Sequence, residues 1–385
     1  MILKQIRVKL WSFEIENNVY LIRKVLNMDI LQQKIKTLLP AYFAIVMATG
    51  IISIALHLTG SVSLSFALFY INLIFISGLL GIFTYRCIRY TKDVYNDFRS
   101  YIKGPGFFTI VAALCIVGNQ FILLNGDIST ARILLIVAGI AWIFIGYGFF
   151  FNITVTKNKK PLNEGINGTW LVIIVAIQAL SSLISFLTEG DDQPDYFLLF
   201  LALILFLLGC IFYLYIMSLI IYRISFFSLN AQELGAPYWI NMGATAITTL
   251  AGSMLILHTQ NFNFITDILP FIKGFTLFFW AAGTWWIPLL VVLGMWRHII
   301  KKVPVPTTAK GYDASYWGMV FPLGMYAVST FRLSEALEIP FLRHIPEYFI
   351  YVAIFAWLAV MTGFIHNLYT TFVSKKETPS TPLEK

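Results

Sequence analysis

Ten stretches of about 20 mostly apolar residues follow one another along this chain, and their length constrains the fold more than any other feature. A helix that crosses a bilayer needs about 20 such residues. The run LLLIVAGIAWIFIGYGFFF does not alternate at every second residue, so membrane-spanning strands are excluded. We predict an all-α polytopic membrane protein whose ten spans lie near residues 38–57, 64–85, 106–124, 131–155, 169–188, 196–222, 237–257, 273–297, 315–332 and 347–372.

The composition excludes the common soluble classes. The 385 residues are 58% hydrophobic and 12% charged, whereas soluble domains carry about 25% charged residues. A disordered protein, a nucleic-acid binder and a soluble enzyme are therefore excluded. The net charge of +8 is interpreted as Lys and Arg side chains held at one lipid surface.

The distribution of basic residues predicts the orientation. Counted over the loops between the ten spans, 23 of the 27 Lys and Arg residues fall on one side, which the positive-inside rule makes cytoplasmic. We expect a multi-pass protein of the cytoplasmic membrane with both termini inside. Residues 1–37 would be a cytoplasmic or interfacial segment, unless translation begins at Met28. Residues 38–372 would form a ten-helix transmembrane domain, and 373–385 a disordered tail.

A short repeat suggests five helical hairpins. Span 1 opens with PAYFAIVMA from Pro40 and span 3 with PGFFTIVAA from Pro105, which share the pattern PxxFxIVxA at a spacing of 65 residues. Spans 5, 7 and 9 begin at similar steps. We therefore expect odd and even spans to pair as hairpins that all have the same orientation.

The middle of every span lacks Asp and Glu. Carboxylates inside a membrane are the usual groups of proton relays and ion-coupling sites. Their absence favours passive movement of a substrate over coupled transport.

The odd spans instead contain prolines, small residues and uncharged polar groups, which predict a conduit lined by these helices. Prolines free a backbone carbonyl and kink a helix, and Pro40, Pro105 and Pro237 are the predicted kink positions. Close helix packing explains small and hydroxyl residues equally well, so both interpretations stay open. The pore-lining candidates are Thr49, Ser53, Asn119, Gln178, Ser182, Asn241, Thr245, Thr248 and Gly324.

The segment YWGMVFPLGMYAVSTFRL holds the predicted gate. Phe321 directly precedes the mid-helix proline Pro322, and an aromatic ring in a narrow pore excludes water and hydrated ions. The alternative is an ordinary packed phenylalanine.

Other chemistry has no support in the sequence. The five histidines show no HxxxH spacing, the three cysteines no CxxC spacing, and no nucleotide-binding or hydrolase motif occurs. We expect no metal, no cofactor, no catalytic residue and no nucleic-acid partner.

Three stretches, PAYFAIVMATGI, PYWINMGATAITTLAG and YWGMVFPLGMYAVSTFRL, resemble the tellurite-resistance/dicarboxylate transporter family. Its members include TehA-like proteins, yeast malic-acid and sulfite transporters, and the slow-type anion channels of plant guard cells. The resemblance covers about residues 37–372. It implies five hairpins around a central pore of kinked odd helices, a homotrimer, and a pore-plugging phenylalanine at the position of Phe321. Span 5 departs from this pattern because it lacks a proline and has Gly165 and Gly168 just before it.

The function predicted from these observations is passive transport of small inorganic or organic anions through the bilayer, by a channel or channel-like transporter. The alternative is a proton-coupled dicarboxylate (malate-like) carrier or an efflux transporter for tellurite or sulfite.

Overall fold

The computed structural model describes residues 29, 31–188, 195–257, 263–305 and 312–372. Most of the predicted N-terminal segment, and all of the predicted tail, lie outside these residues. Within the described ranges nine helices are long and apolar enough to cross a membrane. They are α1 (Pro40–Leu58), α2 (Val62–Arg89), α3 (Gly104–Asn125), α4 (Ile128–Val155), α5 (Gly168–Leu187), α6 (Tyr196–Phe226), α7 (Ala236–Leu257), α8 (Leu269–Ile300) and α10 (Pro340–Thr371).

The helix between α8 and α10, α9 (Trp317–Ala336), is 20 residues long but is not among these nine. It contains Arg332 and Glu335 together with glycine, proline and hydroxyl residues, and these lower its apolar character. Most of its residues are nevertheless buried, because other helices surround it. The all-α fold is confirmed, whereas the count of ten membrane spans stays a prediction.

The odd-numbered helices form a closed inner ring. Helix α1 packs against α3, α3 against α5, α5 against α7, α7 against α9, and α9 again against α1. Each even-numbered helix packs on the odd helix that precedes it. In the most apolar windows of α1, α3, α5 and α7, 78–100% of the residues are buried, compared with 11–44% in the even helices. The even helices therefore present their apolar side chains outward, as a lipid-facing layer requires.

Small residues allow the inner helices to approach closely. A Cβ atom added at Gly118 in α3 would lie 2.9 Å from Leu183 Cδ1 in α5, which is too close for an ordinary contact. Buried polar pairs join the layers as well, since Asn72 Nδ2 in α2 donates to Gln120 Oε1 in α3 at 2.7 Å. Close packing and interhelical hydrogen bonds are the main forces that associate helices in lipid.

Candidate functional site

The five inner helices begin in the same way. Each starts with a short 3₁₀ turn before the α-helix proper, and these turns are Pro40–Phe43, Gly104–Phe107, Gly168–Leu171, Ala236–Trp239 and Ala314–Tyr316. The turns contact one another in the same cyclic order as the helices. At one point the backbones nearly touch, because a Cβ at Gly168 would collide with the carbonyl oxygen of Pro237. Five helix N-termini therefore surround one opening.

The predicted proline kinks are wrong. Pro40, Pro105 and Pro237 occupy the first turns of their helices, where a proline costs nothing because the first N–H groups of a helix have no intrahelical acceptor. These prolines start α1, α3 and α7 and leave them unbroken. Prolines inside a helix occur instead at Pro288 and Pro322.

A cavity of about 290 Å³ lies inside this ring of N-termini. All five inner helices line it. The lining residues are Ala41, Tyr42, Ala44 and Met47 of α1, Gly106 and Thr109 of α3, Thr169, Val172 and Val175 of α5, Pro237 and Ile240 of α7, and Gly318 and Phe321 of α9. Its wall is mostly apolar, which suits a site that removes water from its occupant.

Phe321 lies at the inner end of this cavity. It is the lining residue farthest along α9, as Met47 is in α1 and Val175 in α5, and only 2% of its surface is exposed. Helical periodicity places Met325 and Val328 on the same side of α9, one and two turns further along. Both are 1% exposed. Beyond Phe321, this side of α9 is therefore apolar and buried.

Polar groups at the opening of the cavity were not among the candidates predicted from the sequence. Asn167 Oδ1 accepts from the Thr169 amide at 2.9 Å, and Asp313 Oδ1 accepts from the Ser315 amide at 2.9 Å. All four residues line the cavity. Asn167 and Asp313 are helix-capping residues at span ends, whereas the pore-lining candidates were chosen from positions inside the spans. Their Asn and Asp side chains before an apolar run were the available signal.

The electric field at the opening favours anions. The N-terminus of a helix carries the positive end of its dipole and attracts negative groups. Lys103, which lines the cavity, adds a cation whose Nζ lies 2.8 Å from Asp97 Oδ1 and whose side chain is 48% exposed. The carboxylate of Asp313 at the same opening is negatively charged and therefore disfavours anions.

Two pore-lining candidates of α1 are directed away from the axis. Trp357 Nε1 in α10 donates to Thr49 Oγ1 at 3.0 Å. Ser53 Oγ donates to the Ser65 carbonyl in α2 at 2.8 Å. Both hydroxyl groups connect α1 to outer helices, so the assignment of Thr49 and Ser53 to the pore wall is corrected.

Candidates of α5 and α7 also face outer helices. Gln178 Nε2 donates to the Phe206 carbonyl in α6 at 3.0 Å. Thr245 lies against α8, since a Cβ at Gly283 would come within 2.6 Å of Thr245 Oγ1. These two side chains hold hairpins together, which is the packing interpretation that the sequence left open.

Gly324 likewise serves packing, because a Cβ there would lie 2.8 Å from Ile51 Cγ2 in α1. Thr248 Oγ1 donates back to the Ala244 carbonyl at 2.7 Å. Neither residue lines the cavity.

The last three candidates, Asn119, Ser182 and Asn241, are buried and also lie outside the cavity lining. Asn119 Oδ1, Ser182 Oγ and both amide atoms of Asn241 have no hydrogen-bond partner. A role for these three in the conduit stays a prediction. The described residues contain no cluster of three His, Cys, Asp or Glu side chains that could hold a metal ion.

Comparison with known proteins agrees with this architecture. The family described as voltage-dependent anion channel (SLAC1) matches residues 37–365. An uncharacterized transporter of Methanocaldococcus jannaschii is 24% identical over 354 residues, which cover 88% of this chain and 97% of the relative. An uncharacterized membrane protein of Mycobacterium tuberculosis is 36% identical over 160 residues, 41% of this chain and 78% of the relative. With its all-helical architecture and a family match over most of its length, this multi-pass membrane protein belongs to the voltage-dependent anion channel family.

Proposed function

We propose that the chain is a passive channel or channel-like transporter for small anions, with a conduit along the axis of the inner helices and a gate at Phe321. The observation that carries the proposal is a cavity lined by all five inner helices, with Phe321 among its lining residues. In this arrangement the conduit is closed, and an anion enters at the helix N-termini.

The distribution of carboxylates supports passive movement. Among the described residues Asp97 is the one buried carboxylate, and it lies in the short helix Thr91–Phe98 between α2 and α3. Arg86 Nη2 and Lys103 Nζ both pair with it. No acidic side chain in the described inner ring is placed to relay a proton across the bilayer.

Selectivity in such a conduit comes from width, dehydration and dipoles rather than from a fixed charge. Because the cavity wall is mostly apolar, anions that lose water easily should pass best. Nitrate should therefore be preferred over strongly hydrated divalent anions such as malate, sulfite or tellurite.

The orientation and the assembly belong to the same proposal. We place the N-termini of the inner helices and both chain termini in the cytoplasm, in a cell membrane, and three copies in one assembly. Impermeant thiol labelling of intact cells should reach Ser61→Cys in the turn after α1 and not Lys159→Cys, with Cys87 replaced by serine in both. The reverse pattern would invert the orientation.

Flux in proteoliposomes tests the mechanism. With equal pH on both faces and an uncoupler present, anion flux should persist and follow voltage and concentration alone. Flux that requires an imposed proton gradient would contradict the channel and favour a coupled carrier.

A further inference from the structure

Three even helices end with a buried arginine on the side where the inner helices begin. Arg86 near the end of α2 is 1% exposed, Arg223 near the end of α6 is 7% exposed, and Arg297 near the end of α8 is 6% exposed. Arginine keeps its charge in proteins, and a buried charge is stable only when it is paired and hydrogen-bonded.

Two of these arginines have a carboxylate partner a short distance along the chain. Arg86 Nη2 lies 2.5 Å from Asp97 Oδ2, and its Nε donates to the Lys36 carbonyl. Arg223 Nη2 lies 2.8 Å from Glu233 Oε2. The spacing is eleven residues in the first pair and ten in the second.

Arg223 has two further partners. Its Nη1 donates to the Ile166 carbonyl at 2.9 Å and to the Tyr238 hydroxyl at 2.7 Å. The charges of Arg86 and Arg223 are therefore neutralised by carboxylates of the same chain.

Arg297 differs, since its guanidinium has no hydrogen-bond or ion-pair partner among the described residues, and its Nε is buried. The positions ten and eleven residues later hold Thr307 and Thr308, and residues 306–311 include no acid at all. Glu233 directly precedes Leu234, which lines the same cavity as Arg297. Both carboxylate oxygens of Glu233 are, however, engaged by Arg223 and Asn230.

Arg297 lines a separate cavity of about 50 Å³, several times the roughly 10–15 Å³ that one water molecule needs. Its Nη1 would lie 3.9 Å from a Cβ added at Gly235 in the cavity wall. The cavity lies between the start of α7, the end of α8 and the start of α9, and Gly235, Tyr238, Gly294 and Tyr316 are among its lining residues. The 3₁₀ turn of α7 begins at its wall, and the N-terminal end of that helix adds to the positive field of the arginine. The last turn of α8, Trp296–Ile300, is a π-helix, a form that often occurs at functional sites.

We propose that this cavity binds an anionic group, a phosphate above all, which takes the place that Asp97 and Glu233 occupy beside the other two arginines. Arginine binds phosphate through two parallel N–H donors. The phosphate comes from a soluble anion or from the headgroup of an acidic lipid, because the site lies at the end of a membrane helix. The site is separate from the axial cavity, and the proposal is independent of the transport mechanism.

The test measures the thermal stability of the purified full-length protein with two probes. Sodium phosphate is titrated against sodium chloride at constant ionic strength, and, separately, nanodiscs of phosphatidylcholine are compared with nanodiscs that include phosphatidylglycerol. A ligand of the folded state raises the melting temperature. We expect a rise with phosphate if the ligand is soluble, or with phosphatidylglycerol if it is a headgroup. Arg297→Gln should weaken the apparent affinity about tenfold or more.

A charge placed inside the site gives a second variant that does not remove the arginine. Gly294 lies in α8 one turn before Arg297, and an added Cβ there meets no atom within 4 Å. Gly294→Glu supplies the missing carboxylate, so it should raise the melting temperature without added anion and abolish the response to the probe. The uncharged Gly294→Gln should keep the response.

Arg99→Gln, which removes an exposed arginine in the loop after α2, is the control for a general loss of charge and should respond as the wild type does. The proposal is overturned if neither probe stabilises the wild type, or if Arg297→Gln or Gly294→Glu responds as strongly as the wild type. Should Arg297→Gln not fold, the comparison of Gly294→Glu with Gly294→Gln decides alone.

Discussion

Gly243 of α7 lies directly against Pro322 of α9, so that a Cβ added at Gly243 would come within 2.7 Å of Pro322 Cγ. Pro322 interrupts the hydrogen bonding of α9 one residue after Phe321. The contact therefore limits how closely α7 and α9 can approach each other next to Phe321.

Substitution Gly243→Ala should destabilise the protein by about 1–3 kcal/mol, because the added methyl group forces α7 and α9 apart. Thermal unfolding in detergent measures the effect as a lower melting temperature. Gly139→Ala in α4 is the matched control, since a Cβ there meets no atom within 4 Å. Equal melting temperatures for the two variants would show that α9 adapts to the methyl group without cost.

Charge at the opening of the cavity should control the rate of anion entry. Lys103→Gln removes the cation that lines it, so the local anion concentration falls and conductance should drop about twofold or more at low salt. The loss should shrink as salt screens the charge. Asp313→Asn removes a negative charge from the same opening, so conductance should rise. The amide oxygen of the new side chain can still accept from the Ser315 amide.

Planar-bilayer recordings at two salt concentrations measure both variants of the opening. Lys92→Gln is the control for Lys103→Gln, because Lys92 is exposed on the short helix Thr91–Phe98. A loss of conductance in both lysine variants alike would assign the effect to general surface charge.

Gln178 should contribute to stability and not to selectivity. Its amide donates to α6, and a hydrogen bond between membrane helices contributes about 0.6–2 kcal/mol. Gln178→Ala should thus lower the melting temperature and leave the nitrate-to-chloride permeability ratio unchanged. Thr169→Val, at the cavity wall of the same helix, should change the conductance. An altered permeability ratio in Gln178→Ala would return this residue to the conduit.

The spans were predictable because burial in lipid requires long apolar runs, and nine of the ten predicted spans correspond to helices that meet this requirement. The repeat that begins at Pro40 and Pro105 also has a structural counterpart, since both segments start with 3₁₀ turns of the inner ring. The sequence pattern indicated the repeated unit, although the role of its prolines was interpreted wrongly.

The direction of individual polar side chains was not predictable. An inner helix is buried on nearly every face, so the periodicity of its sequence does not distinguish the side that faces the axis from the side that faces a neighbouring helix. Ser53 and Gln178 illustrate this limit, because each donates to a backbone carbonyl, of Ser65 in α2 and of Phe206 in α6. Every residue has such a carbonyl, so the side-chain pattern does not identify the partner. Only the packing of each inner helix against its neighbours decides which way such a residue points.

Anion conductance of Phe321→Ala compared with the wild type tests the central claim most directly. If the ring closes the conduit, its removal opens the apolar constriction to water, and conductance should rise. Phe331→Ala, on the same helix but outside the cavity lining, is the control and should leave conductance unchanged. If Phe321 is only packed, truncation costs on the order of 3–5 kcal/mol of stability. Lower stability with no gain in conductance would contradict the account.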